Sequence, residues 1–212
     1  MGTIKQGVLG GFSGKVGTVI GASWKGTAYM RGQATHVKNP RTPKQIEQRT
    51  KMEFARNFLQ QAAEFINIGF KDVAKRQSPL NYAASQMMRN AIYGDYPDYS
   101  PIYSKLKWSH GLLTPPVVET VYANYDALDF LWVDNSGQGN AKADDISMVI
   151  VCNEEKQDLK YFMNGYTRST KSTHCELPES WVDDYVHIYI TMRSADGKLI
   201  SNSHYCGVFL LE

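Results

Sequence analysis

Hydrophobic and polar positions change their period along this chain, and the changes mark out its elements. Residues 16–32, VGTVIGASWKGTAYMRG, carry β-branched and aromatic side chains (Val16, Thr18, Ile20, Trp24, Tyr29) on both sides of Lys25-Gly26. A turn dipeptide between two such runs predicts two short strands joined as a hairpin. From residue 43 the period lengthens. Ile46, Thr50, Phe54, Phe58, Ala62 and Phe65/Ile66 recur four apart, the spacing of one helix face. Thr42 as N-cap, Pro43 at the first helical position and Gln45 three residues after Thr42 make a helix start. The pattern predicts a helix over about 43–68, with Gly69 at its end. Ser78-Pro79 opens a second helix through LNYAASQMMRNAIY, stopped by Gly94. The Tyr- and Pro-rich run GDYPDYSPIYSKLKW then predicts a loop leading to a short strand that ends near Trp108.

After Thr114-Pro115-Pro116 the pattern alternates. Strands are predicted over 127–134, 145–153, 159–168, 185–193 and 198–211, separated by the turn clusters NSGQGNAKAD, NEEKQD and SADG. Ala195-Asp196-Gly197 is a hairpin signal. Six or seven short strands of this kind, in about 95 residues, predict an antiparallel sandwich of immunoglobulin or fibronectin III type. No Cys…Trp…Cys spacing of the antibody domains is present. The expected fold class is therefore α+β. An N-terminal β-hairpin plus helices module over 1–116 precedes an antiparallel immunoglobulin/fibronectin III-like β-sandwich over 117–212.

Charge sharpens that division. The chain of 212 residues has a formal net charge of +2. Residues 1–116 hold 16 Lys+Arg against 6 Asp+Glu, and residues 117–212 hold 7 against 15. The sign flips at the two prolines, which predicts two modules with different surfaces. The basic one would meet nucleic acid or the acidic half of a neighbouring copy. Composition otherwise is that of a globular protein, 42% hydrophobic and 21% charged. No apolar run approaches the ~18 residues of a membrane helix. A signal-peptide core is absent from the N-terminal sequence, and Gln6 stands where myristoylation needs Ser or Thr. Three widely spaced cysteines (Cys152, Cys175, Cys206) make no disulfide framework and predict a reducing compartment. The expected location is cytoplasmic or virion-associated, with no signal peptide and no membrane partner.

Candidate chemistry is sparse. GGFSGKVG, residues 10–17, looks like a phosphate loop. However, Leu9 stands where the first glycine belongs, and Val16 replaces the metal-binding hydroxyl. The glycines (Gly10, Gly11, Gly14, Gly17, Gly21) then read as turn and close-approach positions. His174-Cys175 and His204-x-Cys206 are the nearest approaches to a metal pair. Neighbours on a strand point to opposite faces, so His174 and Cys175 do not converge. Asp144-Asp145 and Asp183-Asp184 lack the calcium-loop pattern and read as solvated turns. Trp132 and Trp181 read as core residues. Nothing resembles a nucleophile elbow. The expectation is a protein that is not an enzyme, with no catalytic or metal residues, no cofactor and no small-molecule substrate.

The basic stretch says more. Lys15, Trp24, Lys25, Arg31, Lys38, Arg41, Lys44 and Arg49 form the candidate interaction set, with Tyr29 and His36 among them and only Glu47 opposing. Clustered cations with aromatics suit phosphate backbones, exposed bases or an acidic protein surface. The blocks GGFSGKVGTVIGASWKGTAYMR, VKNPRTPKQIEQR, NIGFK and VHIYITMRSADGKLISNSHYCG resemble an uncharacterised domain-of-unknown-function family common in gut Bacteroidota and in their phages and prophages. That resemblance implies no activity and no catalytic residues. Gly14, Lys15, Gly17, Trp24, Lys25, Gly26, Arg31, Asn39 and Gln48-Arg49 match its recurring motif, while Ala34-Thr35 stands where many members carry a proline-containing segment. The expected function is a non-catalytic structural or interaction protein, a phage or prophage virion or assembly component. It would self-associate, or join other structural proteins, through the basic module and the acidic sandwich. Nucleic-acid binding through 25–51 is the alternative.

Overall fold

Two turns in the first 42 residues need backbone that glycine adopts freely. Gly17 has φ +58° and Gly26 φ +85°. Between and beside them run β1 (Thr3–Ile4), β2 (Phe12–Val16), β3 (Val19–Trp24) and β4 (Thr27–Gly32), an antiparallel sheet in that order. The hairpin expected around residues 25–26 is β3–β4. The strand expected to start at Val16 is two strands, because the turn at Gly17-Thr18 folds Val16 back onto Val19. Gly21 is required for another reason. A Cβ there would lie 2.2 Å from the Phe12 carbonyl oxygen and 2.7 Å from its ring. This computed structural model describes residues 2–4, 11–24, 26–36, 41–75 and 77–212. Its two compact units are residues 1–42 and 43–212.

The second unit opens with α1 (Pro43–Gln60), starting at Pro43 as the sequence predicts. The single helix expected over 43–68 is broken. The Ala62 N–H donates to the Leu59 carbonyl (3.1 Å), a tighter turn than an α-helix, and the Gln61 amide reaches the Gln157 carbonyl (3.3 Å). Then α2 (Ala63–Gly69) resumes. α3 (Pro79–Asn90) has Ser78 as its N-cap, the side chain accepting from the Asn81 N–H at 3.2 Å. It ends four residues before Gly94, whose φ of +93° instead belongs to the connection between β5 (Ile92–Tyr93) and β6 (Ser100–Pro101). No strand forms at Trp108. Its backbone N–H donates to Ser203 Oγ (3.0 Å), and its buried ring packs against Phe58 and Tyr189.

Seven strands follow: β7 (Val117–Asn124), β8 (Ala127–Val133), β9 (Ile146–Asn153), β10 (Asp158–Phe162), β11 (Ser172–Glu176), β12 (Tyr185–Arg193) and β13 (His204–Leu210). They form two antiparallel sheets, β11-β8-β7 and β10-β9-β12-β13. The strands expected at 159–168 and 198–211 are shorter, because both stretches leave the ladder. Ser147 N–H and Oγ bond the Tyr166 carbonyl, and Ser201 Oγ bonds Thr191 and the Met192 N–H.

Alternation decides the layering. On β9 and β12, Val149, Val151, Val186, Ile188, Ile190 and Met192 join Leu128, Phe130, Trp132 and Cys175 of the other sheet. Met148, Ile150, Cys152 and Tyr189 point the other way and join Phe58, Leu59, Phe65, Ile66 and Met87 of the helices. The sheet containing β9 and β12 is thus covered on both faces. DISMVIVCN and YVHIYITMR are therefore nearly unbroken apolar runs rather than alternating ones. The fold is α+β. The sequence reading divides the chain near residue 116. In the structure the helices before that point and the strands after it share one core, and the chain divides into its compact units after Thr42. Among the described residues no helix is long and apolar enough to cross a membrane.

Candidate functional site

Strand register places the predicted residues. In β2, β3 and β4, Lys15 pairs with Ile20 and Ile20 with Arg31. Ala22 pairs with Tyr29, and Trp24 with Thr27. Directly paired residues share a face of a sheet, and so do positions two apart on one strand. Lys15, Trp24, Tyr29 and Arg31 therefore stand on one face, with Lys15 and Arg31 flanking Ile20 two strand spacings, about 10 Å, apart. All four are exposed, Trp24 by 65% and Tyr29 by 45%. Among the described residues the opposite face carries Phe12, Val16, Val19, Ala28 and Met30 among glycines, and no charge.

Of the remaining predicted residues, Lys25 and Lys38 lie outside the described residues. Arg41 is exposed just before α1. Lys44 and Arg49 are exposed on α1 and belong to the second unit, with Arg49 lining a groove with Gln45, Gln48, Met52 and Met88. The structure brings together Lys15, Trp24 and Arg31 and adds Tyr29. The signal for Tyr29 lay in the turn. A two-residue turn at 25–26 pairs 24 with 27, and counting outward pairs 22 with 29 and 20 with 31.

Residues 1–42 hold six Lys+Arg and no Asp or Glu. The first carboxylate in the chain is Glu47. The face is thus cationic with no carboxylate in its own unit, and its aromatics are exposed. It can attract anions at long range and add ring contacts at short range.

Other titratable groups are held in structural roles. Arg168 and Asp145, both with fully buried side chains, pair at 3.1 Å; Arg168 also donates to Asn135 Oδ1 (2.5 Å) and to the Thr114 carbonyl (2.9 Å). The solvated-turn reading therefore fails for Asp145, which ties the β8–β9 connection to the segment after β10. It fails for Asp184 too. Hydrogen bonds from Lys156 and Asn153 hold that carboxyl down at about 2. Asp144 and Asp183 are exposed. His187 is held on both nitrogens, by Tyr205 Oη (2.8 Å) and Glu154 Oε2 (3.1 Å), and its ring stacks on Tyr103 at 4.0 Å. His174 is exposed against Asp129 (2.7 Å), while its neighbour Cys175 is buried. Cys152 and Cys206 pack into the two different core clusters. Burial pushes the Cys175 and Cys206 thiols up to about 12. No group of three or more metal-ligating side chains is found among the described residues.

One family model covers most of both units. The chain belongs to the family of unknown function DUF6266, whose model matches residues 11–207. The matched span includes β2, β3 and β4 with their basic face, and all but the end of the second sheet. Comparison with curated proteins gave no match.

Proposed function

We propose that this protein is a non-catalytic structural or interaction protein that self-associates through its basic N-terminal unit and its acidic β-sandwich. One observation carries the reading. Lys15, Trp24, Tyr29 and Arg31 share an exposed face on a unit of 42 residues that contains no carboxylate and, among its described residues, buries only Gly21. Side chains so exposed are not part of a core among the described residues, which supports a use in contact with something else.

The sandwich supports a presenting or docking role. Lettered A to G in chain order, its strands run A-B-E in one sheet and D-C-F-G in the other. The seven-strand immunoglobulin constant order is A-B-E-D against C-F-G, so only the fourth strand differs, pairing with the third instead of the fifth. This supports an immunoglobulin/fibronectin III-like reading. The resemblance to proteins of gut Bacteroidota and their phages supports a component of a virion or of its assembly, located in the cytoplasm or in the particle.

The test is light scattering from low to high salt, with and without short duplex DNA. Growth in mass at low salt without DNA, reversed by salt, is expected. A monomer at high concentration and low salt overturns the reading. A second reading, nucleic-acid binding, is favoured by the two aromatics beside the two cations on one face. It predicts mass gain only with DNA and a steep salt dependence. Charge reversal at Arg41 and Arg49, on the predicted basic stretch, then abolishes that gain.

A further inference from the structure

The negative charge of the sandwich is not spread over it. Three connections lie at one end: the β7–β8 turn (124–127), the β9–β10 turn (153–158) and the β11–β12 connection (176–185). Register fixes this. Asn153 pairs with both Asp158 and Val186, Glu176 pairs with Ala127, and the Leu177 N–H donates to the Asp126 carbonyl (2.6 Å). These three segments hold eight Asp+Glu against one Lys, Lys156. The opposite end, residues 134–145, 163–171 and 193–203, holds four Asp+Glu against five Lys+Arg. Nearly all the acidity of residues 117–212 is therefore polar, gathered at the first end. Two exposed aromatics stand within it, Tyr125 (58%) and Tyr185 (50%).

We infer that the acidic end of one copy receives the Lys15–Trp24–Tyr29–Arg31 face of a second copy. The inference rests on the self-association proposed above and names its two surfaces. Charge complementarity selects the occupant. A sheet face in a unit with six cations and no carboxylate meets an end with eight carboxylates and one cation. The chemistry at short range matches as well. Lys and Arg stack over tyrosine rings, and aromatics with Arg are the side chains enriched in protein interfaces. Nucleic acid, by contrast, is repelled by the acidic end. The two surfaces differ, so the contact is heterologous. Each copy bound leaves one donor face and one acceptor end free, and the assembly closes as a ring or runs on as a filament.

A charge-swap experiment tests it. Glu176 and Glu179 are exposed and take no part in the Asp184 network, so E176K/E179K alters the acidic end without cutting a structural bond. K15E/R31E alters the sheet face. Both full-length variants, measured by sedimentation at low salt, should self-associate at least about tenfold more weakly than the parent. An equimolar mixture of the two should recover association, because each supplies the surface the other lacks. Recovery also shows that both variants are folded. If the parent associates and E176K/E179K associates equally well, the acidic end is not the receptor, while the self-association reading stands. Loss in both variants without recovery on mixing overturns the pairing as well. A parent that is monomeric overturns both proposals, and mass gain only with DNA assigns the sheet face to phosphates instead.

Discussion

In the N-terminal unit one described residue, Gly21, is buried; in β9 seven residues of eight are. The two regions are built from the same kind of strand, with the same antiparallel ladder and the same β-branched residues. They differ in what covers them. β9 lies between helices on one face and a second sheet on the other, so both of its side-chain sets are enclosed. β4 shows solvent all six of its residues. A sheet normally buries one face to be stable. The lesson is that hydrophobic residues in the two regions serve different ends. Ile188 or Phe130 holds the fold, whereas Trp24 and Met30 remain available at the surface.

The contrast is broken most severely by separating β9 and β12 from the helices. A fragment of residues 117–212 exposes Met148, Ile150, Cys152 and Tyr189 together, and we expect it to lose cooperative unfolding and to bind hydrophobic dye. Removing residues 1–42 should leave the unfolding midpoint of the remainder nearly unchanged, which denaturant titration of both pieces checks. Next in size is Arg168→Met. It leaves Asp145 as an uncompensated buried charge and should cost about 3–5 kcal/mol in urea unfolding. Arg168→Met with Asp145→Asn should cost less than the single change.

Gly21→Val should act only on the first unit. The added side chain meets Phe12 and should cost about 1–3 kcal/mol there. Hydrogen exchange then shows lost protection in β2 and β3, with exchange in β9 and β12 unchanged. The smallest effect is a pH dependence. Asp196, in the turn after β12, is held down at about 2, first by the Ser194 hydroxyl (2.7 Å) and next by the Lys198 N–H (3.0 Å). Its folded value lies below its unfolded one. The stability it adds is complete above about pH 4 and is lost as the pH falls to about 2. Asp196→Asn should flatten that part of the acid limb of the melting curve.

Much of this was legible in the residues. Ser78-Pro79 marked a helix start, Pro43 another, and Ala195-Asp196-Gly197 a turn. The two-residue turn at 25–26 already implied that Lys15, Trp24, Tyr29 and Arg31 share a face once β2 is admitted as a strand. Other features depended on distant partners. Nothing in NFLQQAAEF signals a break at Gln61, where the side chain meets a carbonyl 96 residues away, at Gln157. The apolar runs of β9 and β12 do not say that their second face is covered by helices rather than by another sheet. The acidic end is invisible to a count of charges. It appears only when register brings three separate connections to one end.

The helices wait a long time for their other half. The Tyr189 hydroxyl bonds the Tyr103 carbonyl 86 residues earlier, and the Trp108 N–H bonds a serine 95 residues later. At a synthesis rate of about 5–20 residues per second, that separation is a delay of roughly 4–20 s before β12 and β13 complete the core that α1, α2 and α3 share with β9. Contacts of such range also slow the final search. The order of the chain thus makes the last strands the gatekeepers of folding. A ribosome that stalls before residue 185 leaves three helices and β9 without Tyr189, so that their shared core stays partly open.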